Sequence, residues 1–193
     1  MARLRGEEKR AWERTLRLYD KLRSGGSPNV IEGDEIELGP DEAWYAETGL
    51  LLLTPTPVER TVTYQEIQRP FTLNPFQRAR DAHDRAVNRA EFERLSREVA
   101  EGPEFLWIER GPVLVRLTSD RLICESDEGR WGYHRVDLTH LEFDVDEWSV
   151  ELRYDGAGPI QLAGWGAIAI GLILIWLRNG PDDVAAIGLE NMR

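Results

Sequence analysis

The sequence predicts a mainly β domain with helices, of the α+β class. Short runs of alternating apolar residues follow one another between residues 104 and 163, and two other segments carry apolar residues at helical spacing. An uncharged apolar segment lies near the C-terminus. The chain has 193 residues, of which 41% are hydrophobic, so a sizeable core is expected. Its net charge of −11 argues against nucleic-acid binding, which needs a basic surface.

Residues 4–23 predict an amphipathic helix with a basic face. Residues 1–25 carry eight basic and four acidic side chains, whereas the other 168 residues have a net charge of −15. Glycines and Pro28 then predict a flexible joint. Residues 1–28 are interpreted either as a helix docked on its own domain or on a second subunit, or as a helix on an anionic membrane or acidic partner. The candidate contact residues are Arg3, Arg10, Arg14, Arg17, Lys21, Trp12 and Leu16.

The first half of the chain also predicts strands and a second helix. Strands are expected at 30–31, 36–38, 43–53 and 58–64. A helix is expected over residues 75–101, because Asn74 is a good N-cap, Pro75 suits the first helical position and Gly102-Pro103 would end it. This helix separates two blocks of strands, so it is interpreted as an insertion.

The second half of the chain predicts an antiparallel, strongly bent sheet. Strands are expected at 104–108, 112–117, 121–125, 130–136, 138–145, 149–154 and 160–163, with turn residues between them. The residues expected in the interior are Leu114, Leu117, Leu122, Val136, Leu138, Leu141, Val150 and Leu152.

The apolar segment Trp165–Leu177 leaves three interpretations open. A helix of this length is short for a membrane span, which needs about 20 apolar residues. It could otherwise pack in the core with its outer face on a second chain, where Ala163, Ala167 and Gly171 would allow close helix approach, or it could touch a membrane surface. We expect its burial to depend on a second chain or a membrane. The candidate contact residues are Trp165, Ile170, Leu174, Trp176 and Leu177.

No pattern in the sequence predicts an enzyme, a cofactor or a metal site. A two-histidine, one-carboxylate site from His134, His140 and Asp137 is conceivable, but these residues are read as strand positions with polar neighbours. Cys124 lies mid-strand and is expected to be a buried structural thiol. The N-terminus lacks a signal peptide, so a cytoplasmic location is expected, with a peripheral position on the inner membrane face as an extension.

The segment Leu114-Val-Arg-Leu-Thr-Ser-Asp-Arg-Leu-Ile-Cys124 resembles the hairpin of bacterial GRAM and PH-like domains. In the turn, Thr118, Ser119 and Asp120 are expected to bond backbone N–H groups, and Arg121 to reach back to a carboxylate or carbonyl. The resemblance implies a small β-barrel over residues 29–178, capped by the apolar helix. It places a "G-P-D-E" entry, Gly39 to Glu42, before the first strand, and residues 179–193 would be a tail.

Together these observations favour a non-enzymatic binding or scaffold module that self-associates, binds a protein partner or sits at an anionic membrane surface. Two other classes stay open. The chain could be an assembly subunit of a phage or other multi-protein complex, or a tail-anchored membrane protein. No dense basic pocket for a lipid headgroup is present in the pattern, since Arg60, Arg116, Arg130 and Arg135 are scattered among acidic residues.

Overall fold

The computed structural model describes residues 6–33, 36–57, 87, 89–94 and 105–189. In these ranges the chain forms an N-terminal helix, helical residues at 87 and 89–94, seven strands, a 3-10 turn and two C-terminal helices. The helices are α1 (Gly6–Arg23), α2 (Ala167–Asn179) and α3 (Pro181–Ala186). The strands are β1 (Trp44–Pro57), β2 (Phe105–Thr118), β3 (Arg121–Ser126), β4 (Gly129–His134), β5 (Leu138–Asp144), β6 (Ser149–Tyr154) and β7 (Ile160–Ala163), and the 3-10 turn Arg135–Asp137 joins β4 to β5.

The seven strands form one open antiparallel sheet in the order β4-β3-β2-β1-β7-β6-β5. Consecutive strands pair as hairpins on both sides, and β1 joins the two halves by pairing with β7 through Leu51–Leu53 and Gln161–Ala163. The α+β, mainly β prediction is therefore confirmed. The barrel closure implied by the family resemblance is not among these pairings.

The strand predictions agree closely with β3 to β7, but the predicted strands 104–108 and 112–117 are one continuous strand, β2, and β1 runs to Pro57 rather than ending at residue 53. Two other predictions are wrong. Val136 was expected inside but is 81% exposed, because the strand ends at His134 and Val136 lies in the 3-10 turn. Residues 30–31 and 36–38 are irregular rather than strands, although the N–H of Ile31 bonds to the carbonyl of Trp44. The predicted strand 58–64 lies outside the described residues. Of the other residues expected inside, Leu117, Leu122, Leu138, Val150 and Leu152 are buried, and Leu114 and Leu141 are half-buried.

The apolar helix α2 packs directly on the sheet. A Cβ at Gly171 would lie 2.4 Å from Cε1 of Phe143 and 3.2 Å from Cγ2 of Val150, so the missing side chain lets α2 approach β5 and β6. The small residues of this helix were expected to serve a helix–helix contact. At Gly171 the close approach is to the sheet instead.

The outer side of α2 is covered by α1 and α3 of the same chain. The α1 residues Ala11, Trp12, Tyr19 and Leu22 belong to the same core cluster as α2 and the inner face of the sheet. Trp12 meets Trp148 edge to face at 5.7 Å between ring centroids, and the hydroxyl of Tyr19 donates to the carbonyl of Ala185. For the described part of the predicted helix, Gly6–Arg23, docking on its own domain is thus the interpretation that the structure shows.

The segment that follows α2 and the segment that follows α1 both have defined backbone structure. The segment after residue 178 was expected to be a tail, but it contains α3, and Val184 and Leu189 are fully buried. At the joint after α1 the backbone forms a helix cap: Gly25 has φ +86°, its N–H bonds to the carbonyl of Leu22, and the N–H of Gly26 bonds to that of Lys21. The flexibility expected of this joint stays a prediction.

The described chain divides into two compact units. One consists of Met1–Pro55 and Trp107–Arg193, and the other is Thr56–Leu106. In the second unit residues 87 and 89–94 are helical, in agreement with the predicted helix 75–101, and Arg89 forms an ion pair with Glu93 at 3.4 Å. The remainder of that predicted helix lies outside the described residues.

Candidate functional site

A basic stripe lies on the outward face of α1. Arg10, Arg14, Arg17 and Lys21 are all exposed, and they are spaced by four, three and four residues along the helix. At 100° per residue these positions share a sector of about 60°, and at 1.5 Å rise they span about 16 Å. The apolar residues of α1 point the opposite way into the core. Arg3, the fifth residue of the predicted stripe, lies outside the described residues.

Three arginines of the stripe have no ionic partner in the described part of the chain. The neighbouring charges of α1 are paired with each other instead: Lys9 lies 4.0 Å from Glu13, and Arg23 lies 2.8 Å from Asp20. The ammonium of Lys21 donates to Oδ1 of Asn29 at 2.8 Å. Arg10, Arg14 and Arg17 take part in no hydrogen bond or ion pair with the described residues. Their charge is therefore available to an external anion.

A groove of about 550 Å³ runs beside this stripe and contains an exposed tryptophan. Trp165 is 45% exposed, and among the Trp, Tyr and Phe side chains of the described residues it is the only exposed one. Arg14 of α1 and Trp165 line the same groove. The other lining residues are Ala11, Thr15, Leu18, Thr48, Gly49, Gly164, Gly166 and Ala169. The groove thus brings together two of the residues that the sequence marked as partner contacts from separate segments.

Two glycines shape the turn that carries Trp165. Gly164 has φ +134°, a conformation that side-chain-bearing residues rarely adopt, and its N–H donates to the carbonyl of Trp148 at 2.9 Å. A Cβ at Gly166 would lie 2.5 Å from Oγ1 of Thr48, so this turn fits closely against β1. Because the backbone on both sides of Trp165 is fixed, its side chain is held at the rim of the groove.

The other predicted contact residues are distributed between core and surface. Ile170 and Leu174 are 1% and 0% exposed in the single chain, so the expectation that their burial needs a second chain or a membrane is wrong. The sequence left one side of α2 uncovered, and α1 and α3 cover it. Trp12 is also buried, and Leu16, Trp176 and Leu177 are partly buried against the core.

The arginines Arg116, Arg130 and Arg135 bond to carboxylates or carbonyls of the same chain. Arg116 contacts Glu47 at 2.6 Å and Glu125 at 2.8 Å, and Arg130 contacts the same Glu125 at 2.7 Å. Arg135 donates to the carbonyls of Ser119 and Leu177 and so links the β2–β3 turn to the end of α2. The fourth arginine that the sequence analysis considered, Arg60, lies outside the described residues.

The β2–β3 turn is tied to the segment before β1 through Glu42. Arg121 donates to the Glu42 carboxylate at 2.9 Å and to the carbonyl of Glu37 at 2.7 Å, as the sequence predicted for this arginine. Thr118 also donates to Glu42, and its hydroxyl oxygen accepts from the N–H groups of Asp120 and Arg121. Burial raises the pKa of Glu42, but the hydrogen bonds from Thr118, Gly39 and Arg121 outweigh it and leave the pKa lowered.

Three residues that the sequence raised as candidates for chemistry, His134, His140 and Cys124, lie in the described part of the chain. In the ranges described, no group of three His, Cys, Asp or Glu side chains is arranged to hold a metal ion. His140 lies 3.6 Å from Glu142, while His134 is at the end of β4. Cys124 is buried, and burial raises the pKa of its thiol to about 12. Within the same ranges, no helix has both the length and the hydropathy required to cross a bilayer.

Sequence reasoning missed the part that β1 plays in the groove. Thr48 and Gly49 line it, but nothing in their local pattern connects them with α1 or with Trp165. The Gly164-Trp165-Gly166 sequence was the available signal, since glycines on both sides of an aromatic residue indicate a constrained turn.

No family model, no curated protein and no solved structure matches this chain.

Proposed function

We propose that this chain is a non-enzymatic binding module of the PH/GRAM-like type that attaches to an anionic surface through the basic stripe of α1. The proposed location is the inner face of the membrane. The observation that carries the proposal is the set Arg10, Arg14 and Arg17, which are exposed, aligned and without ionic partners in the described residues, on a chain whose net charge is −11.

The fold supports the PH/GRAM-like part of the proposal. The resemblance implied a small β-barrel capped by the apolar helix. The features that support it are the antiparallel hairpins and the apolar helix packed on the sheet, whereas barrel closure is not among the strand pairings. In the Thr118–Arg121 turn, which carries the resemblance, Arg121 reaches a carboxylate and a carbonyl, as its sequence predicted, and these belong to Glu42 and Glu37.

The electrostatics support attachment by one face. Most of the surface has excess negative charge, so an anionic partner is repelled except where the stripe faces it. Each arginine close to an anionic membrane contributes about 1 kcal/mol of binding free energy. Removing two of them should therefore weaken binding by about 2 kcal/mol, or about 30-fold.

The test is sedimentation of the full chain with vesicles of phosphatidylcholine that contain about one-third phosphatidylserine, compared with phosphatidylcholine alone. Arg14→Gln/Arg17→Gln should lose most of the binding to anionic vesicles. The matched control is Lys9→Gln/Arg23→Gln, which removes the same net charge from α1 but from residues already paired with Glu13 and Asp20. The control should change binding less than about threefold, because exposed paired charges contribute little.

Equal loss in both variants would mean that net charge alone governs binding, and would contradict a specific role for the stripe. An affinity for anionic vesicles that did not fall between low and physiological salt would also contradict a role for the stripe, because salt screens exposed charges. A large soluble oligomer that binds neither vesicle type would favour the assembly-subunit alternative.

A further inference from the structure

We propose that the anionic surface is a lipid bilayer and that α1 binds it while still docked on α2, with the neighbouring Trp165 as an interfacial anchor. This inference rests on the proposed function, and it specifies both the partner and the binding geometry. In most membrane-surface helices the apolar face enters the lipid and the basic residues flank it. Here the basic face is turned outward and the apolar face is already used by the protein core.

The docked state of α1 follows from its packing. Ala11, Trp12, Tyr19 and Leu22 are buried in the core cluster that contains Ile170 and Leu174. Releasing α1 would expose both of these apolar surfaces at once, and a contiguous patch of that kind is rare on a soluble protein. The capped end at Gly25 and the bond from Lys21 to Asn29 also fix the C-terminal end of the helix. The helix therefore offers its basic face only.

The choice of a bilayer as partner rests on Trp165. An indole ring has an apolar body and one N–H donor, and such rings concentrate at the membrane–water interface. Trp165 lines the same groove as Arg14, so an anionic surface approached by the stripe is close to an exposed aromatic ring. A plane that attracts the arginines and accepts a partly buried indole has the chemistry of a phospholipid headgroup layer.

This geometry predicts shallow, salt-sensitive binding in which α1 keeps its hydrogen bonds and its core contacts. The amides of α1 should stay as slowly exchanging on vesicles as they are in the free protein. Trp165→Ala should weaken binding to phosphatidylserine-containing vesicles about tenfold, the ratio expected for losing about half of the burial of a large apolar side chain. Affinity for phosphatidylcholine vesicles should be too weak to detect.

The experiment combines three readouts on the full chain. Sedimentation with the same two vesicle types measures affinity for the wild type and Trp165→Ala. Quenching by brominated phosphatidylcholine mixed with phosphatidylserine is compared for the wild type, Trp165→Phe and the control Trp131→Phe, which changes a tryptophan lining a different groove. Most of the quenching should disappear only in Trp165→Phe. Amide hydrogen exchange of residues 11–22 with and without vesicles reports whether α1 stays docked.

Three results would overturn the inference: Trp165→Ala binding like the wild type, quenching that survives in Trp165→Phe, or rapid exchange of α1 amides on vesicles. Binding to soluble polyglutamate without binding to the anionic vesicles would also overturn it, because the partner would then be an acidic polypeptide. The proposed function fails separately, through the Arg14→Gln/Arg17→Gln comparison. If that variant loses binding while Trp165→Ala does not, the stripe stands and the anchor is rejected.

Discussion

Replacing Gly171 with alanine tests how α2 reaches the sheet. In a solvent-exposed helix this change stabilises, because glycine is about 1 kcal/mol less favourable than alanine. In this chain a Cβ at Gly171 would lie 2.4 Å from Cε1 and 3.0 Å from Cζ of Phe143, and 3.2 Å from Cγ2 of Val150. Real side chains do not approach so closely, so either the Phe143 ring or the helix must shift.

The magnitude follows from the balance of the two effects. Overpacking a filled core costs typically 1–3 kcal/mol, and the alanine propensity offsets about 1 kcal/mol of it. Because Val150 is fully buried, we take the upper part of the range. Gly171→Ala should therefore lower the free energy of unfolding by about 1–2 kcal/mol.

The assay is chemical denaturation of Gly171→Ala in the wild-type chain and in a Phe143→Leu background. The smaller, more flexible leucine should remove most of the clash, so the cost of Gly171→Ala should fall by at least about half. Gly6→Ala, where a Cβ would meet nothing within 4 Å, is the control for glycine replacement without a clash. If Gly171→Ala is as stable as the wild type or more stable, α2 does not lie as close to β5 and β6 as the packing argument requires.

Three further predictions concern single buried groups. The hydroxyl of Tyr154 is buried without a hydrogen-bond partner in the described structure, so Tyr154→Phe should raise the free energy of unfolding by about 1 kcal/mol in urea denaturation; a loss of stability would contradict this. Tyr133→Phe is the comparison: it loses a hydrogen bond with Trp131, so it should not raise the free energy of unfolding. Because burial raises the pKa of Cys124 to about 12, its labelling by iodoacetamide at neutral pH should require unfolding, and fast labelling of the folded protein would refute its burial. The pKa of Glu42 is lowered from 4.5 in the folded chain, so the ionised carboxylate stabilises the fold above that pH, and this stabilisation is lost as pH falls below it. Glu42→Gln should therefore make the free energy of unfolding less dependent on pH in this acid range. If the variant loses stability at acid pH in the same way as the wild type, Glu42 does not have this role.

The sequence predicts local structure well wherever the signal is local. Alternation and turn residues place β3 to β7 within a residue or two, and Thr118 and Arg121 form the contacts expected of them. Val136 shows the limit of this reasoning. It continues an alternating pattern, but the backbone leaves the sheet after His134 to make the turn into β5.

The long-range packing of α2 was not predictable from its own segment. A helix that is apolar on all sides indicates that every side is covered, but not what covers it. The partner was in the same chain, about 150 residues earlier, in a helix whose apolar arc was visible in the sequence. The sequence analysis did not pair the apolar arc of α1 with the uncovered side of α2. In the structure α1 covers that side, so the contact expected with a second chain lies within one chain.

The candidate site could be predicted only in part, because only part of it depends on local sequence. The basic stripe depends on helical periodicity alone, so the sequence located Arg10, Arg14 and Arg17 correctly on one exposed face. The groove depends on how β1, α1 and the Gly164–Gly166 turn meet, and such a meeting of distant segments leaves no local pattern.

The central claim is that α1 is a core element whose basic face alone is open to a partner. Amide hydrogen exchange of the free, full-length protein tests it most directly. The account predicts that the amides of residues 11–22 are protected to nearly the same extent as those of α2, because the two helices share one core cluster. Exchange of residues 11–22 at the rate of an unfolded peptide, while α2 stays protected, would contradict it.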